Sequence, residues 1–275
     1  MNYIQYKFSV YPKEPWTEIL IAALAESEFE SFEENDDDMN AYIRADEDNE
    51  EFVKEVLRNL SEPRITYLRY ELEQQNWNQI WESNFKPILV DDKCYIRAEF
   101  HSPKPEIPYE IIIQPKMSFG TGHHETTRLM VRYIVESEFN GKRVLDMGCG
   151  TSVLGILAMK RGAKSVEGID IDDWAVENSA ENAKRNAVEI DVKQGDARML
   201  TGKTYDTILA NINKNILMAD MPAYENCLEA GGELLLSGLM ESDFEDIKTR
   251  CEGLGFEFIS AKQENDWIAM KFIKK

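Results

Sequence analysis

The chain has 275 residues, of which 43% are hydrophobic and 30% charged, and this composition predicts a globular protein with one large or two ordinary domains. Its formal charge of −20 argues against a broad nucleic-acid-binding surface, because phosphate binding depends on clustered Lys and Arg. No apolar run approaches the roughly 18 residues that span a bilayer, and the first residues lack the pattern of a signal peptide, so we expect a cytoplasmic protein without membrane contact.

Residues 1–72 have the pattern of a small α+β domain. Tyr3–Tyr11 alternates between apolar and polar side chains, as a half-buried strand does. A helix, two strands joined by an acidic turn, a second helix and a last strand are predicted at Trp16–Glu28, Glu30–Glu33, Met39–Ala45, Glu50–Leu60 and Ile65–Leu72. The order β-α-β-β-α-β predicts a ferredoxin-like domain. Residues 1–60 hold 5 basic and 16 acidic side chains, net −11.

Residues 73–100 are predicted to form a linker. Four aromatic or apolar side chains in Gln74–Pro87 fall at helical spacing and predict a short helix with an aromatic face. Such a face is more typical of core or interdomain packing than of base stacking. Ile88–Val90 and Cys94–Ala98 are predicted to form a hairpin that ends the linker.

Residues 101–275 are predicted to form a second domain in which strands and helices alternate. The strands are predicted at Tyr109–Gln114, Arg143–Met147, Ser165–Ile169, Ile190–Gln194, Asp206–Ala210, Gly232–Ser237, Phe256–Gln263 and Trp267–Ile273. The helices are predicted at Thr126–Glu136, Ser152–Arg161, Asp173–Arg185, Asn215–Glu229 and Ser242–Leu254. The turn between the last two strands is so short that they must be antiparallel. We therefore expect a doubly wound, mostly parallel α/β sheet with one antiparallel strand near an edge, and a capping box between Ser242 and Glu245.

A glycine-containing loop precedes the helix at Thr126–Glu136. Phe119-Gly120-Thr121-Gly122 offers backbone amides and hydroxyl groups to a ligand. His123 and His124 follow, but the chain has only one other histidine, and its four cysteines form no Cys-x-x-Cys pair. We therefore predict no metal site and no disulfide.

The stretch from Arg143 to Asp170 predicts a nucleotide-binding unit. A buried strand leads into a turn with Gly148 and Gly150, and Asp170 follows Gly148 by 22 positions, near the spacing of an acid that binds ribose hydroxyls. The third glycine of a dinucleotide fingerprint is missing. Asp146 before the turn instead indicates the Asp-x-Gly-x-Gly turn of S-adenosylmethionine enzymes.

Two further strand ends are predicted to complete the site, since ligands of such sheets bind at the carboxyl ends of the strands. Asp196 could accept a hydrogen bond from an adenine amino group, and Asn211 supplies an amide for a reaction centre. Each residue has a structural alternative, namely a turn cap for Asp170, a solvated loop for Asp196 and a turn for Asn211. Their common placement favours a methyltransferase.

These motifs, with Asn76-Trp77, Trp81 and Asn84-Phe85 in the linker, the pair Thr126-Thr127, and Ala210-Asn211-Ile212, resemble the bacterial ribosomal protein L11 methyltransferase family. The resemblance covers nearly the whole chain. It implies a seven-stranded Rossmann-like methyltransferase sheet, S-adenosyl-L-methionine as cofactor, and methylation of lysine ε-amino and α-amino groups of that ribosomal protein.

By the same resemblance, four residues correspond to cofactor-binding positions, namely Thr127, Gly148, Asp170 and Asn211. Phe119, Gly150 and Asp196 complete the predicted cofactor site, and Asn211 is also the predicted catalytic residue. Two positions depart from the family pattern. His123 stands where a threonine is usual, and Ser152 stands where a glycine is usual.

Other readings stay open at this point. A glutamine or adenine methyltransferase would carry Asn-Pro-Pro-Tyr where this chain has Asn211-Ile212-Asn213-Lys214. A methyltransferase that acts on RNA is a further alternative. A non-catalytic nucleotide-binding module could use the N-terminal domain to recruit a partner. We expect no direct nucleic-acid partner and favour a monomer. The acidic N-terminal domain could steer a basic ribosomal protein toward the site.

Overall fold

The computed structural model describes residues 2–35, 38–60, 62–72, 85–114 and 119–275, and the chain divides into two compact units, Met1–Phe85 and Lys86–Lys275. Each unit has its own sheet system and its own buried core. Within the described residues, no helix is long and apolar enough to cross a bilayer.

The described residues of the N-terminal unit contain four strands and two helices. The strands are β1 (Tyr3–Tyr11), β2 (Phe29–Glu34), β3 (Met39–Arg44) and β4 (Arg64–Leu72), and the helices are α1 (Trp16–Leu24) and α2 (Glu50–Asn59). The sheet is antiparallel with the order β2-β3-β1-β4. This confirms the ferredoxin-like prediction, although α1 ends four residues earlier than expected.

Alternation along β1 builds the core of this unit. Ile4, Tyr6 and Phe8 are fully buried and pack with Leu20 of α1 and Val53 of α2. The intervening residues of β1 face away from these helices, as period-two strand geometry requires. The sequence pattern therefore predicted the buried face of this strand correctly.

The second unit begins before the predicted boundary at residue 101. Strands β5 (Ile88–Val90) and β6 (Cys94–Arg97) form the expected antiparallel hairpin, but β6 also pairs in parallel with β7 (Tyr109–Ile112). Every residue of β6 is buried, so this hairpin belongs to the core of the second unit and not to a linker. The predicted aromatic helix at Gln74–Pro87 falls largely on residues 73–84, outside the described residues.

The main sheet of the second unit has seven strands in the order β10-β9-β8-β11-β12-β14-β13. They are β8 (Arg143–Met147), β9 (Ser165–Asp170), β10 (Asp191–Gln194), β11 (Tyr205–Asn211), β12 (Leu228–Met240), β13 (Phe256–Glu264) and β14 (Trp267–Lys274). The α-helices described in this unit are α3 (Glu125–Glu136), α4 (Val153–Lys160), α5 (Asp173–Arg185), α6 (Lys214–Cys227) and α7 (Phe244–Gly253). Strand β14 is antiparallel to both of its neighbours, and it lies next to the edge strand β13. The predicted doubly wound sheet with one antiparallel strand is confirmed.

The predicted capping box between Ser242 and Glu245 is wrong. A 3₁₀ turn, Glu241–Asp243, precedes α7, and the Asp243 carboxylate accepts a hydrogen bond of 2.9 Å from the Met240 amide. Helix α7 begins at Phe244. The acid before it, Asp243, bonds the Met240 amide one turn upstream and makes no capping hydrogen bond to α7.

Candidate active site at the carboxyl ends of the strands

A cavity of about 510 Å³ lies at the carboxyl ends of β8, β9, β10 and β11. Six of the seven residues predicted to bind a cofactor line it, namely Phe119, Gly148, Gly150, Asp170, Asp196 and Asn211. Thr127 is fully buried beside the cavity and its hydroxyl accepts a hydrogen bond of 3.4 Å from Asn211 Nδ2. Its neighbour Thr126 lines the cavity in its place.

The two glycines of the turn are required by neighbouring loops. Gly148 and Gly150 have φ values of +68° and +53°, a region that favours glycine. A Cβ atom on Gly148 would overlap Ile212 Cγ2, and one on Gly150 would overlap the Phe119 carbonyl oxygen. The segments that bear Phe119 and Ile212 therefore pass directly against the turn.

Ser152, just after the glycine turn, also adopts a left-handed conformation. Its φ is +56° and the residue is fully buried. Its hydroxyl forms a hydrogen bond with the Ser179 hydroxyl of α5, which helps to hold a conformation that costs a non-glycine residue about 1 kcal/mol or more. The serine thus keeps the turn geometry while it links the turn to α5.

Asp170, at the end of β9, is held by the backbone. One carboxylate oxygen accepts a hydrogen bond of 2.8 Å from the Gly150 amide, and the other accepts one of 3.1 Å from the Asp172 amide. A carboxylate can accept about four hydrogen bonds in all, so the group is oriented and retains acceptor capacity toward the cavity that it lines.

Asp196 also lines the cavity, but its carboxylate has a protein partner. The Arg198 guanidinium donates hydrogen bonds to both oxygens at 2.6–2.9 Å and lowers the pKa of the carboxyl below its ordinary value. A ligand amino group at this position would share the acceptor with Arg198.

Asn211 presents an unsatisfied acceptor. The residue ends β11 and lines the cavity, and its Oδ1 is buried and accepts no hydrogen bond from any residue that the structure describes. Leaving a buried acceptor unpaired costs about 1–3 kcal/mol. The orientation of the side chain is fixed on the other side by the bond from Nδ2 to Thr127, and Oδ1 keeps its acceptor capacity unused by the described part of the chain.

Three aromatic side chains form one wall of the cavity. The His124 ring lies 5.4 Å from the Phe119 ring and 4.6 Å from the Trp267 ring, measured between centroids. His124 Nδ1 accepts the Thr126 amide at 3.3 Å and lies 2.8 Å from the Thr126 hydroxyl. These contacts fix the ring at the start of α3.

Several lining residues were missed by the sequence analysis, namely His124 as a wall, Trp174, Ile212 and Trp267. Trp267 is the first residue of β14, and the β13–β14 turn is fastened to α3 because Glu264 accepts a hydrogen bond of 2.7 Å from Arg128. No local motif marks Trp267, since it reaches the cavity only through the fold. Among the residues that the structure describes, no cluster of three or more His, Cys, Asp or Glu side chains could hold a metal ion.

Asp146 lies fully buried beneath the glycine turn. Its Oδ2 accepts a hydrogen bond of 2.9 Å from the Gly155 amide of α4. Burial, with a smaller contribution from the Asp170 charge, raises the pKa of this carboxyl from 3.8 to about 7 against the effect of that hydrogen bond. The folded protein therefore binds this proton more tightly than the unfolded chain does.

Replacement of Asp146 by asparagine should change how stability depends on pH. In the parent protein, the contribution of Asp146 to the free energy of unfolding falls as the pH rises from about 4 to about 7. Asp146→Asn should therefore become more stable than the parent by an amount that grows by about 3 kcal/mol between pH 5 and 8. Chemical denaturation at several pH values measures this difference.

Asp206→Asn is a matched control with the opposite sign. The Asp206 carboxylate pairs with Arg143 at 2.9 Å, and that pairing lowers its pKa. This substitution should destabilise the protein at neutral pH, and the loss should shrink as the pH falls through the lowered pKa. If the Asp146→Asn difference were the same at pH 5 and pH 8, the assignment of a raised pKa to Asp146 would be wrong.

Comparison with known proteins gives this geometry a context. A family model described as ribosomal protein L11 methyltransferase (PrmA) matches residues 17–275. The ribosomal protein L11 methyltransferase of Phocaeicola vulgatus is 46% identical over 281 residues, with 100% of both chains covered. The chain belongs to the ribosomal protein L11 methyltransferase family. The corresponding protein of Porphyromonas gingivalis is 45% identical, with 99% of this chain and 98% of that protein covered.

A solved structure of another L11 methyltransferase shares the fold. The crystal structure of ribosomal protein L11 methylase from Lactobacillus delbrueckii subsp. bulgaricus aligns with a TM-score of 0.65 and 26% identity, and it covers 70% of this chain and 100% of that chain.

The residues of the cavity fit the cofactor of this family, S-adenosyl-L-methionine. The turn of Gly148 and Gly150 has no side chains to obstruct a ligand, the Asp170 carboxylate retains acceptor capacity, and Asn211 Oδ1 is buried without a partner among the described residues. An adenosine with ribose hydroxyls and an amino-acid moiety has donors that match these acceptors.

Proposed function

We propose that this protein transfers methyl groups from S-adenosyl-L-methionine to lysine ε-amino and α-amino groups of ribosomal protein L11. The observation that carries the proposal is the end-to-end match to curated L11 methyltransferases at 46% identity. The geometry of the cavity adds support, because its polar groups can hold a nucleoside and orient an amine.

The roles of the cofactor-binding residues follow from their positions. S-adenosyl-L-methionine supplies an electrophilic methyl group on its sulfonium sulfur. Asp170 would accept hydrogen bonds from the ribose hydroxyls, and Asp196 one from the adenine amino group. Gly148 and Gly150 would let the ligand approach the backbone, while Phe119 and Thr127 would close the cavity beside Asn211.

Asn211 would orient the acceptor amine. Its Oδ1 would accept an N–H from the neutral amine and so direct the nitrogen lone pair away from the side chain and into the cavity. A lysine has an ordinary pKa of about 10.4, and a site that excludes water lowers this value because burial disfavours the ammonium. The amine can then lose its proton to water on entry, and no side-chain base is needed.

The aromatic wall would shield this step from solvent. Phe119, His124 and Trp267 cover one side of the cavity. Exclusion of water strengthens the hydrogen bond to Asn211.

The N-terminal unit would recruit the substrate. Ribosomal proteins are basic, and a net charge of −11 in residues 1–60 would steer such a partner by long-range attraction. We propose residues 1–72 as the substrate-recognition domain and the cytoplasm, where ribosomal proteins are made, as the place of action.

Transfer of a radiolabelled methyl group tests this proposal. The protein, labelled cofactor and a cell extract from a strain without the methyltransferase, which supplies ribosomal proteins, release factors and RNA, are incubated together, and we expect label in L11 on lysine or α-amino groups. L11 whose amines have been acetylated is the control and should take up none. Label in RNA or in a release factor would favour the alternative methyltransferases, and no label with retained cofactor binding would favour a non-catalytic module.

A further inference from the structure

We propose that Thr151 is a positioning residue that fastens the loop of Phe119 and Gly120 across the glycine turn, and that this fastening sets the rate of methyl transfer; the kinetic part rests on the proposed function. Thr151 is fully buried and lies outside the cavity lining, so it acts through the loop and not by direct contact with the cavity.

Two hydrogen bonds make the fastening. The Thr151 amide donates to the Phe119 carbonyl at 3.0 Å, and the Thr151 hydroxyl donates to the Gly120 carbonyl at 2.6 Å. Gly150 lies so close to the loop that a Cβ on it would overlap the Phe119 carbonyl oxygen. The loop is therefore held against the turn by a side chain from the turn itself.

The loop needs such a fastening because its own backbone is permissive. Gly120 and Gly122 have φ values of +99° and +88°, and glycine loses more conformational freedom on ordering than any other residue. The loop also leads to three residues of the cavity, since Phe119, His124 and Thr126 all line it. A shift of the loop would move the aromatic wall relative to Asn211.

Asn182, one of three buried asparagines of α5, bonds Thr151 directly. Asn182 Nδ2 donates to the Thr151 carbonyl at 3.2 Å, and Asn182 Oδ1 accepts the Gln114 amide at 2.8 Å. Asn178 donates to the Gln114 carbonyl at 3.2 Å. One turn further along the helix, Asn186 bonds both the amide and the carbonyl of Ile112 at 2.9 and 2.6 Å.

Together these three side chains bond the backbone of β7 and of Gln114 just beyond it, as a neighbouring strand would.

The position of the loop held by Thr151 would define how the reacting groups approach one another. Methyl transfer is an in-line displacement, and misplacement of the reacting groups by about 1 Å can cost about a hundredfold in rate. The Thr151 hydroxyl is not bonded to Asp170, Gly148 or Asn211. Loss of this hydroxyl should therefore lower kcat much more than it weakens cofactor binding.

Thr151→Val tests the proposal, because valine keeps the shape of threonine and removes the hydroxyl donor. We expect kcat on L11 to fall by about ten- to a hundredfold, the Kd of S-adenosylhomocysteine to change less than threefold, and amide exchange in residues 119–124 to accelerate. Thr151→Ser, which keeps the hydroxyl, should restore kcat to within about threefold of the parent value.

Asn186→Ala is the matched control. It removes hydrogen bonds from the same asparagine series, namely those to Ile112 and one to the Asn182 carbonyl, and none to Thr151, so it should lower the melting temperature while kcat stays within about twofold of the parent.

Three results would overturn the proposal, namely unchanged kcat in Thr151→Val, an equal loss in Asn186→Ala, or no recovery in Thr151→Ser. If the parent itself transferred no methyl group to L11, the proposed function would fail, and the exchange rates of residues 119–124 would still decide whether Thr151 fastens the loop.

Discussion

Asn211→Ala should lower kcat for methyl transfer to L11 by about a hundredfold or more, while the cofactor Kd rises only a few-fold. The substitution removes Oδ1, a buried acceptor without a partner among the described residues, and with it the group proposed to orient the amine. Removal of one preorganised polar group from an active site costs about 10²–10³ in kcat. Single-turnover rates at saturating cofactor measure the effect directly.

Asp170→Ala should weaken cofactor binding and largely preserve kcat, which is the opposite of the effect expected for Asn211→Ala. Its carboxylate accepts the Gly150 and Asp172 amides and lines the cavity, so its loss should weaken cofactor binding by about tenfold or more, as for a lost charge-assisted hydrogen bond. At saturating cofactor, Asp170→Ala should retain most of its kcat. Full turnover by Asn211→Ala at saturating cofactor would refute the orienting role of Asn211.

The sheet was predictable because its signals are local. Alternation of strands and helices, the glycine that follows a strand, and the short turn before Trp267 each act within a few residues, and they determine parallel or antiparallel pairing. The domain boundary was not predictable in the same way. Cys94–Arg97 has the pattern of an isolated hairpin, and its burial comes from parallel pairing with β7, more than ten residues later.

The residues of the site also divide into those with a local sequence signal and those without one. Gly148, Asp170 and Asn211 follow buried strands directly, so strand-end reasoning placed them on one cavity. Trp267 comes to this cavity from β14, and its ring contact with His124 joins residues 143 positions apart. The need for glycine at position 148 is also set by a distant residue, because a Cβ there would overlap Ile212. Contacts of this kind depend on the complete fold and leave no mark in a short motif.

Removal of the N-terminal unit should abolish methyl transfer to intact L11 and leave cofactor binding within about threefold of the full chain. The described cavity residues all lie between Phe119 and Trp267, and residues 86–275 form a compact unit with their own core. The charge of −11 in residues 1–60 would no longer attract a basic partner. Calorimetry with S-adenosylhomocysteine and kcat/KM on L11 measure the two effects.

Two further measurements, the salt dependence of the reaction and the methylation of a short peptide, distinguish substrate recruitment by the N-terminal unit from a structural role of that unit. If charge steers the substrate, kcat/KM of the full chain on L11 should fall steeply as ionic strength rises, because screening shortens the range of attraction to about 8 Å at 0.15 M. An N-terminal L11 peptide, too short to use a recognition domain, should be methylated slowly and equally by the full chain and by residues 86–275. Loss of cofactor binding in the shortened protein would instead make the N-terminal unit a structural support, and the acidic charge would then have no part in substrate choice.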